Sequence, residues 1–137
     1  MSQDETLKIS DVGIRTETRM TERNIVYYAP EVIKFMSYNA SADIYSFALI
    51  LWEMWYGKEV FSELKPLDID NFIDKIGGGY RPNRPTSFVI LPQLQTFLEI
   101  CWNSSPGCRP PAYQCYIRLE CLYQEWSKFG SKREDLP

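Results

Sequence analysis

The chain contains no histidine, and its four cysteines, Cys101, Cys108, Cys115 and Cys121, include no C-x-x-C pair. A structural zinc site of the usual Cys/His kind therefore has neither its spacing nor its partner ligands. Basic charge is not in excess either: 15 Lys and Arg stand against 18 Asp and Glu, a net −3 with both signs scattered along the chain. Without a basic field there is nothing to hold a nucleic-acid backbone or an anionic membrane, so nucleic acid is not an expected partner. Long apolar runs are missing as well. The longest, residues 44–56, is interrupted by Ser46 and Glu53 and is shorter than the roughly 20 residues a helix needs to span a bilayer. The opening MSQDET is polar and lacks the charged-then-apolar layout of a signal peptide. These absences lead us to expect a soluble, cytoplasmic setting, or the cytoplasmic portion of a larger receptor, with reduced and mostly buried thiols whose near-heptad spacing puts them close to one face of a helical region.

What is present suits a packed core. Over 137 residues, 45% are hydrophobic and 24% charged, the balance of one globular unit or part of one. Leu7-Lys8-Ile9 alternates as a half-buried strand does and ends at Asp11-Val12-Gly13. Residues 14–28 show no periodicity and are rich in Thr and Arg, as a solvated loop is. Pro30 suits the first turn of a short helix over 31–35. "NASADIYSFALILWEMWYG" predicts a long helix, with Asn39 or Ser41 to cap its start and Gly57 to end it; apolar on nearly every side, it belongs at a centre. Residues 68–76 predict a shorter amphipathic helix stopped by Gly77-Gly78-Gly79. "YRPNRP" follows as an extended loop, then helices over 91–102 and 112–126 separated by "NSSPGCRPP", and a charged tail, "SKREDLP".

Four features then stand in a telling order: Asp11-Val12-Gly13 after a strand, Ala29-Pro30-Glu31 after a threonine-rich loop, Asp43 opening "SADIYSFALILWEM", and Cys101-Trp102 followed by Pro106 and "CRPP". In this order and at these separations the chain resembles the C-terminal lobe of a protein kinase catalytic domain, in its tyrosine-kinase-like or tyrosine-kinase branch. The resemblance implies a mainly α fold: a kinase-like C-lobe fragment with a short N-terminal strand, an activation segment and about five helices. Residues 1–128 would form the partial kinase domain and 129–137 the tail.

The resemblance also assigns roles. Asp11 stands where the metal-binding carboxylate stands, a hard ligand holding magnesium against the β- and γ-phosphates of ATP; Ser10 and Gly13 flank it at the nucleotide site, and Gly13 gives the loop its pivot. Val12 replaces the usual phenylalanine, whose ring packs into the column that sets the active or inactive state. Glu31 and Arg109 correspond to a bidentate ion pair anchoring the base of the activation segment. Asp43 corresponds to a carboxylate that accepts hydrogen bonds from the catalytic-loop backbone, and its place in a first helical turn also suits the helix dipole. Thr16, Thr18 and Thr21 sit where activating phosphates are received, with Arg15, Arg19 and Arg23 near enough in sequence to pair with one. "NIVYYAPEV" resembles the substrate-docking stretch, but Asn24 replaces the small hydroxyl residue common in serine/threonine members, so the acceptor class stays open.

Other parts of the family's machinery have no counterpart in the sequence. No H-R-D-x-x-x-x-N segment supplies a general base or second magnesium ligand, and no glycine-rich loop or strand lysine grips the phosphates. "GGGYRP" does not substitute, because a phosphate cradle needs G-x-G-x-x-G or G-x-x-x-x-G-K-[ST] in a strand-linked setting. The expectation is part of an ATP- and magnesium-dependent kinase acting on Ser/Thr or Tyr of protein substrates, with these 137 residues inactive by themselves and without tight ATP or magnesium binding of their own. The alternative is a non-catalytic, pseudokinase-like module that binds a substrate or scaffold protein; Val12, and Ala48 where glycine is usual, point that way.

Overall fold

The computed structural model describes Thr21 and residues 24–86 and 91–131. Among the described residues there are five helices: α1 Pro30–Phe35, α2 Ala40–Tyr56, α3 Ile69–Gly77, α4 Pro92–Cys101 and α5 Ala112–Ser131. The described residues also hold 3₁₀ turns: Ile25–Tyr27 leads into α1, Ser62–Leu64 lies between α2 and α3, and Pro106–Cys108 between α4 and α5. The described residues contain no strand; the one expected over residues 7–9 lies outside them.

Local chemistry explains the boundaries. Pro30 opens α1 and Pro92 opens α4, each at a position whose N–H would have no helical partner. Asn39 settles the choice of cap for α2: its Oδ1 accepts the N–H of Ala42 at 3.1 Å, while Ser41 donates its hydroxyl to the same oxygen at 2.6 Å. Gly57, at φ +62°, closes α2 by donating its N–H to Glu53 O at 2.8 Å. Asp68 caps α3 by accepting the Asn71 N–H at 3.2 Å. Helix α5 continues to Ser131, five residues past the Trp126 at which the sequence pattern fades. Within that last stretch Ser127 returns its hydroxyl to Tyr123 O at 2.8 Å.

Helix α2 is the hub. It packs on α4 and on the turns Ile25–Tyr27 and Pro106–Cys108, while α1 packs on α3 and α5 on α4. Tyr45, Ala48 and Leu49 of α2 are fully buried with Ile76 of α3 and Leu98 and Cys101 of α4. Phe61, after α2, meets Phe72 edge-on with centroids 5.1 Å apart, in the arrangement the ring quadrupole favours. The helix is not buried all round, however: Ile50 and Met54 are 46% and 72% exposed, because none of the described elements covers that face. No described helix is long and apolar enough to cross a membrane.

The cysteines depart from the expected single face. Cys101 and Cys115 are buried with sulfurs 3.9 Å apart, whereas Cys108 and Cys121 are exposed. The 3₁₀ turn at Pro106–Cys108 breaks the helical phase between α4 and α5, so spacing along the sequence does not carry over to one surface.

Candidate functional site

The segment ending at α1 is held to the core at three places. At its start, Asn24 Oδ1 accepts the Thr21 N–H at 2.7 Å, and Thr21 O accepts the N–H of Ile25 at 2.9 Å. A 3₁₀ turn follows, burying Ile25 and Val26. Next, Tyr27 is gripped by α2: Ser46 donates its hydroxyl to Tyr27 O at 2.7 Å, and the Tyr27 phenol donates to both Glu53 carboxylate oxygens at 3.0 and 3.1 Å. Glu53 Oε1 also accepts the Val60 N–H at 2.9 Å, so one carboxylate ties the segment to the chain beyond α2. Burial, reinforced by the hydrogen bond to Glu53, pushes the Tyr27 phenol up to about 12.

The third hold is electrostatic. Arg109 Nη1 donates to Glu31 Oε1 at 2.6 Å and Nη2 to Oε2 at 2.9 Å, the paired fork that guanidinium and carboxylate geometry allows. The same guanidinium donates to Ser41 O at 3.0 Å and, from Nε, to Asn103 O at 2.8 Å. Its side chain is wholly buried and that of Glu31 is 11% exposed. Burial opposes ionisation of Glu31, but the Arg109 hydrogen bonds, a backbone hydrogen bond and the fields of Arg109 and Arg81 outweigh it and hold the carboxyl below its ordinary 4.5. Arg109 also lies over the Tyr45 ring, Cζ 5.1 Å from its centroid.

Of the residues singled out in the sequence, the structure thus brings Glu31 and Arg109 together across 78 positions. Asp43 is exposed in the first turn of α2, and the described residues offer its carboxylate no hydrogen-bond partner. Thr21 is exposed at the foot of the segment. Ser10, Asp11, Gly13, Thr16 and Thr18 lie outside the described residues, and among those that are described no cluster of three or more Cys, Asp or Glu could hold a metal ion. Three participants, Tyr27, Glu53 and Arg81, carry no signal of their role in the sequence. Ser46 and Glu53 stand out there only as polar interruptions of an apolar run. Both prove to be the groups that hold Tyr27.

The profile of the family described as protein tyrosine and serine/threonine kinase matches residues 1–119. The chain belongs to the protein kinase family. Among curated relatives, this kinase chain is 38% identical to the dual specificity protein kinase shkE of Dictyostelium discoideum, over 80% of its own length and 16% of the relative's. It is 35% identical to the serine/threonine-protein kinase STY17 of Arabidopsis thaliana, over 91% of its own length and 22% of the relative's. The kinase chain therefore spans less than a quarter of either relative. Its helical architecture agrees with the C-terminal lobe of such a domain.

Proposed function

We propose that this chain supplies the activation-segment end and helical base of an ATP-dependent protein kinase, which transfers the γ-phosphate of ATP to a hydroxyl of a protein substrate in the cytoplasm. The single observation that carries the proposal is the buried Glu31–Arg109 fork, which ties the Ala-Pro-Glu turn to the loop before α5. Phosphotransfer depends on positioning and on charge stabilisation rather than on covalent chemistry in the protein. A docking segment fixed at both ends, by Tyr27 and by Glu31, is the kind of support such positioning needs. Residues 1–128 form the partial catalytic domain in this reading.

In the intact domain Asp11, flanked by Ser10 and Gly13, would hold magnesium, and the metal would neutralise charge on the β- and γ-phosphates. Other residues of this chain serve the segment itself. Glu31 and Arg109 fix its base, Ser46 and Glu53 fix Tyr27, and Thr16, Thr18 and Thr21 offer hydroxyls to an activating phosphate. Relatives of both dual-specificity and serine/threonine type leave the acceptor open between Ser/Thr and Tyr.

The test is transfer of labelled γ-phosphate to a generic protein substrate. The 137-residue chain should give none, since no general base, phosphate loop or strand lysine is in its sequence; the longer protein containing it should give transfer. Absence of transfer in both, with the longer protein folded, would favour the non-catalytic binding module to which Val12 points.

A further inference from the structure

Arg81, on the loop after α3, has the most unusual surroundings in the molecule outside the Glu31–Arg109 pair. Its Nε donates to Trp102 O at 2.8 Å, Nη1 to Tyr80 O at 2.6 Å and to Ile76 O at 3.2 Å, and Nη2 to the Ser104 hydroxyl at 2.9 Å. Ile76 lies in the last turn of α3 and Trp102 caps the end of α4. A single cation thus closes the C-terminal ends of two helices, where carbonyls lack helical donors and the dipole favours positive charge. Every group it bonds is neutral, and the described residues give it no carboxylate of its own. Its guanidinium carbon lies 5.1 Å from the centroid of the Tyr45 ring, the same distance as that of Arg109. Two cations therefore share one buried aromatic ring, and Glu31 is the carboxylate at their side.

We infer that Arg81 is a positioning residue for the docking segment over residues 25–35, acting on Glu31 through Tyr45 and Arg109. The inference rests on the anchoring role proposed above for the Glu31–Arg109 pair, and deepens it. Tyr45 is fully buried and cannot shift without repacking the core. In contact with the arginine that pins α3 and α4, the ring is a rigid platform for the arginine that pins α1. A partly buried cation over an aromatic face is worth more than a fully exposed one, so losing one cation perturbs the platform and the charge balance felt by Glu31. The loop after α3 would in this way set how firmly a segment about 50 residues earlier in sequence is held.

Backbone amide hydrogen exchange, followed by mass spectrometry on the 137-residue chain carrying Arg81→Met, Arg81→Lys or Glu31→Gln, tests this. Arg81→Met should accelerate exchange by about tenfold in residues 25–35 as well as at the two helix ends. Arg81→Lys, which keeps the charge but not the fork, should show the same pattern more weakly, and decides the matter if Arg81→Met does not fold. Acceleration confined to residues 76–80 and 102–104 would overturn the inference and leave Arg81 a local helix-end clamp. Glu31→Gln separates the two levels. If it does not loosen residues 25–35, the anchor fails and this inference with it; if it loosens them while the Arg81 variants do not, only this inference fails.

Discussion

Replacing Arg109 by methionine removes a guanidinium that serves four acceptor contacts while keeping most of the side chain's length. The Glu31 carboxylate, 11% exposed, is left without its fork, and Ser41 O and Asn103 O lose their donor. Breaking one side of a buried ion pair costs about 3–5 kcal/mol, because the remaining charge is uncompensated. For a chain of this size that corresponds to a fall in Tm of roughly 10–15 °C. The double variant Glu31→Leu with Arg109→Met removes both charges. It leaves only two neutral carbonyls short of a donor, at about 1 kcal/mol each, so the total should be about 2 kcal/mol and smaller than for the single variant. Urea or thermal unfolding of wild type, both singles and the double gives all the terms of the cycle. An Arg109→Met variant that melts with wild type, or a double variant costing as much as both singles added, would refute the reasoning. The pH dependence supplies a second handle. Glu31 is held below its ordinary 4.5 in the folded chain, so its contribution is complete above that value and is lost as pH falls through the lower, folded one. Glu31→Gln should flatten that part of the acid limb.

Three further outcomes are expected. Tyr45→Phe removes a buried hydroxyl that has no hydrogen-bond partner among the described residues and keeps the ring that both arginines contact, so stability should stay level or rise by up to about 1 kcal/mol in urea unfolding. The Tyr27 phenol, pushed up to about 12 by burial and by Glu53, should ionise nearer its ordinary value in Glu53→Gln, as followed by ultraviolet difference titration; its raised value means that the stability it contributes is present below the ordinary phenol range and is lost as pH rises through the folded one. Leu49→Ala empties a fully buried site where α2 meets the core, and should cost about 2–5 kcal/mol by the same unfolding assay.

The helices were legible because their signals are local. Asn39 and Gly57 bracket α2, Asp68 caps α3, and prolines open α1 and α4. What the sequence did not disclose depends on contacts between distant positions. No spacing rule joins Glu31 to Arg109 across 78 residues; that pair was reachable only through the order of motifs shared with kinases. Tyr27 and Glu53 are 26 positions apart, and Glu53 looks like a flaw in an apolar run until the fold puts it beside a phenol. Arg81 gives less warning still. In an extended, proline-rich loop nothing marks it out, yet its donors turn to the ends of two helices. The exposed Ile50 and Met54 show the converse limit, since an all-apolar helix says that cover is wanted, not that the described elements provide it.

The most direct test of the central claim, that the segment between Asp11 and Glu31 works within a phosphotransfer domain, is γ-phosphate transfer by the longer protein containing this chain, with Asp11→Asn compared against wild type. Wild type should transfer phosphate and the variant should fall to background at unchanged Tm, because the carboxylate proposed to hold magnesium goes while the Glu31–Arg109 pair stays. Transfer that survives Asp11→Asn undiminished would contradict it.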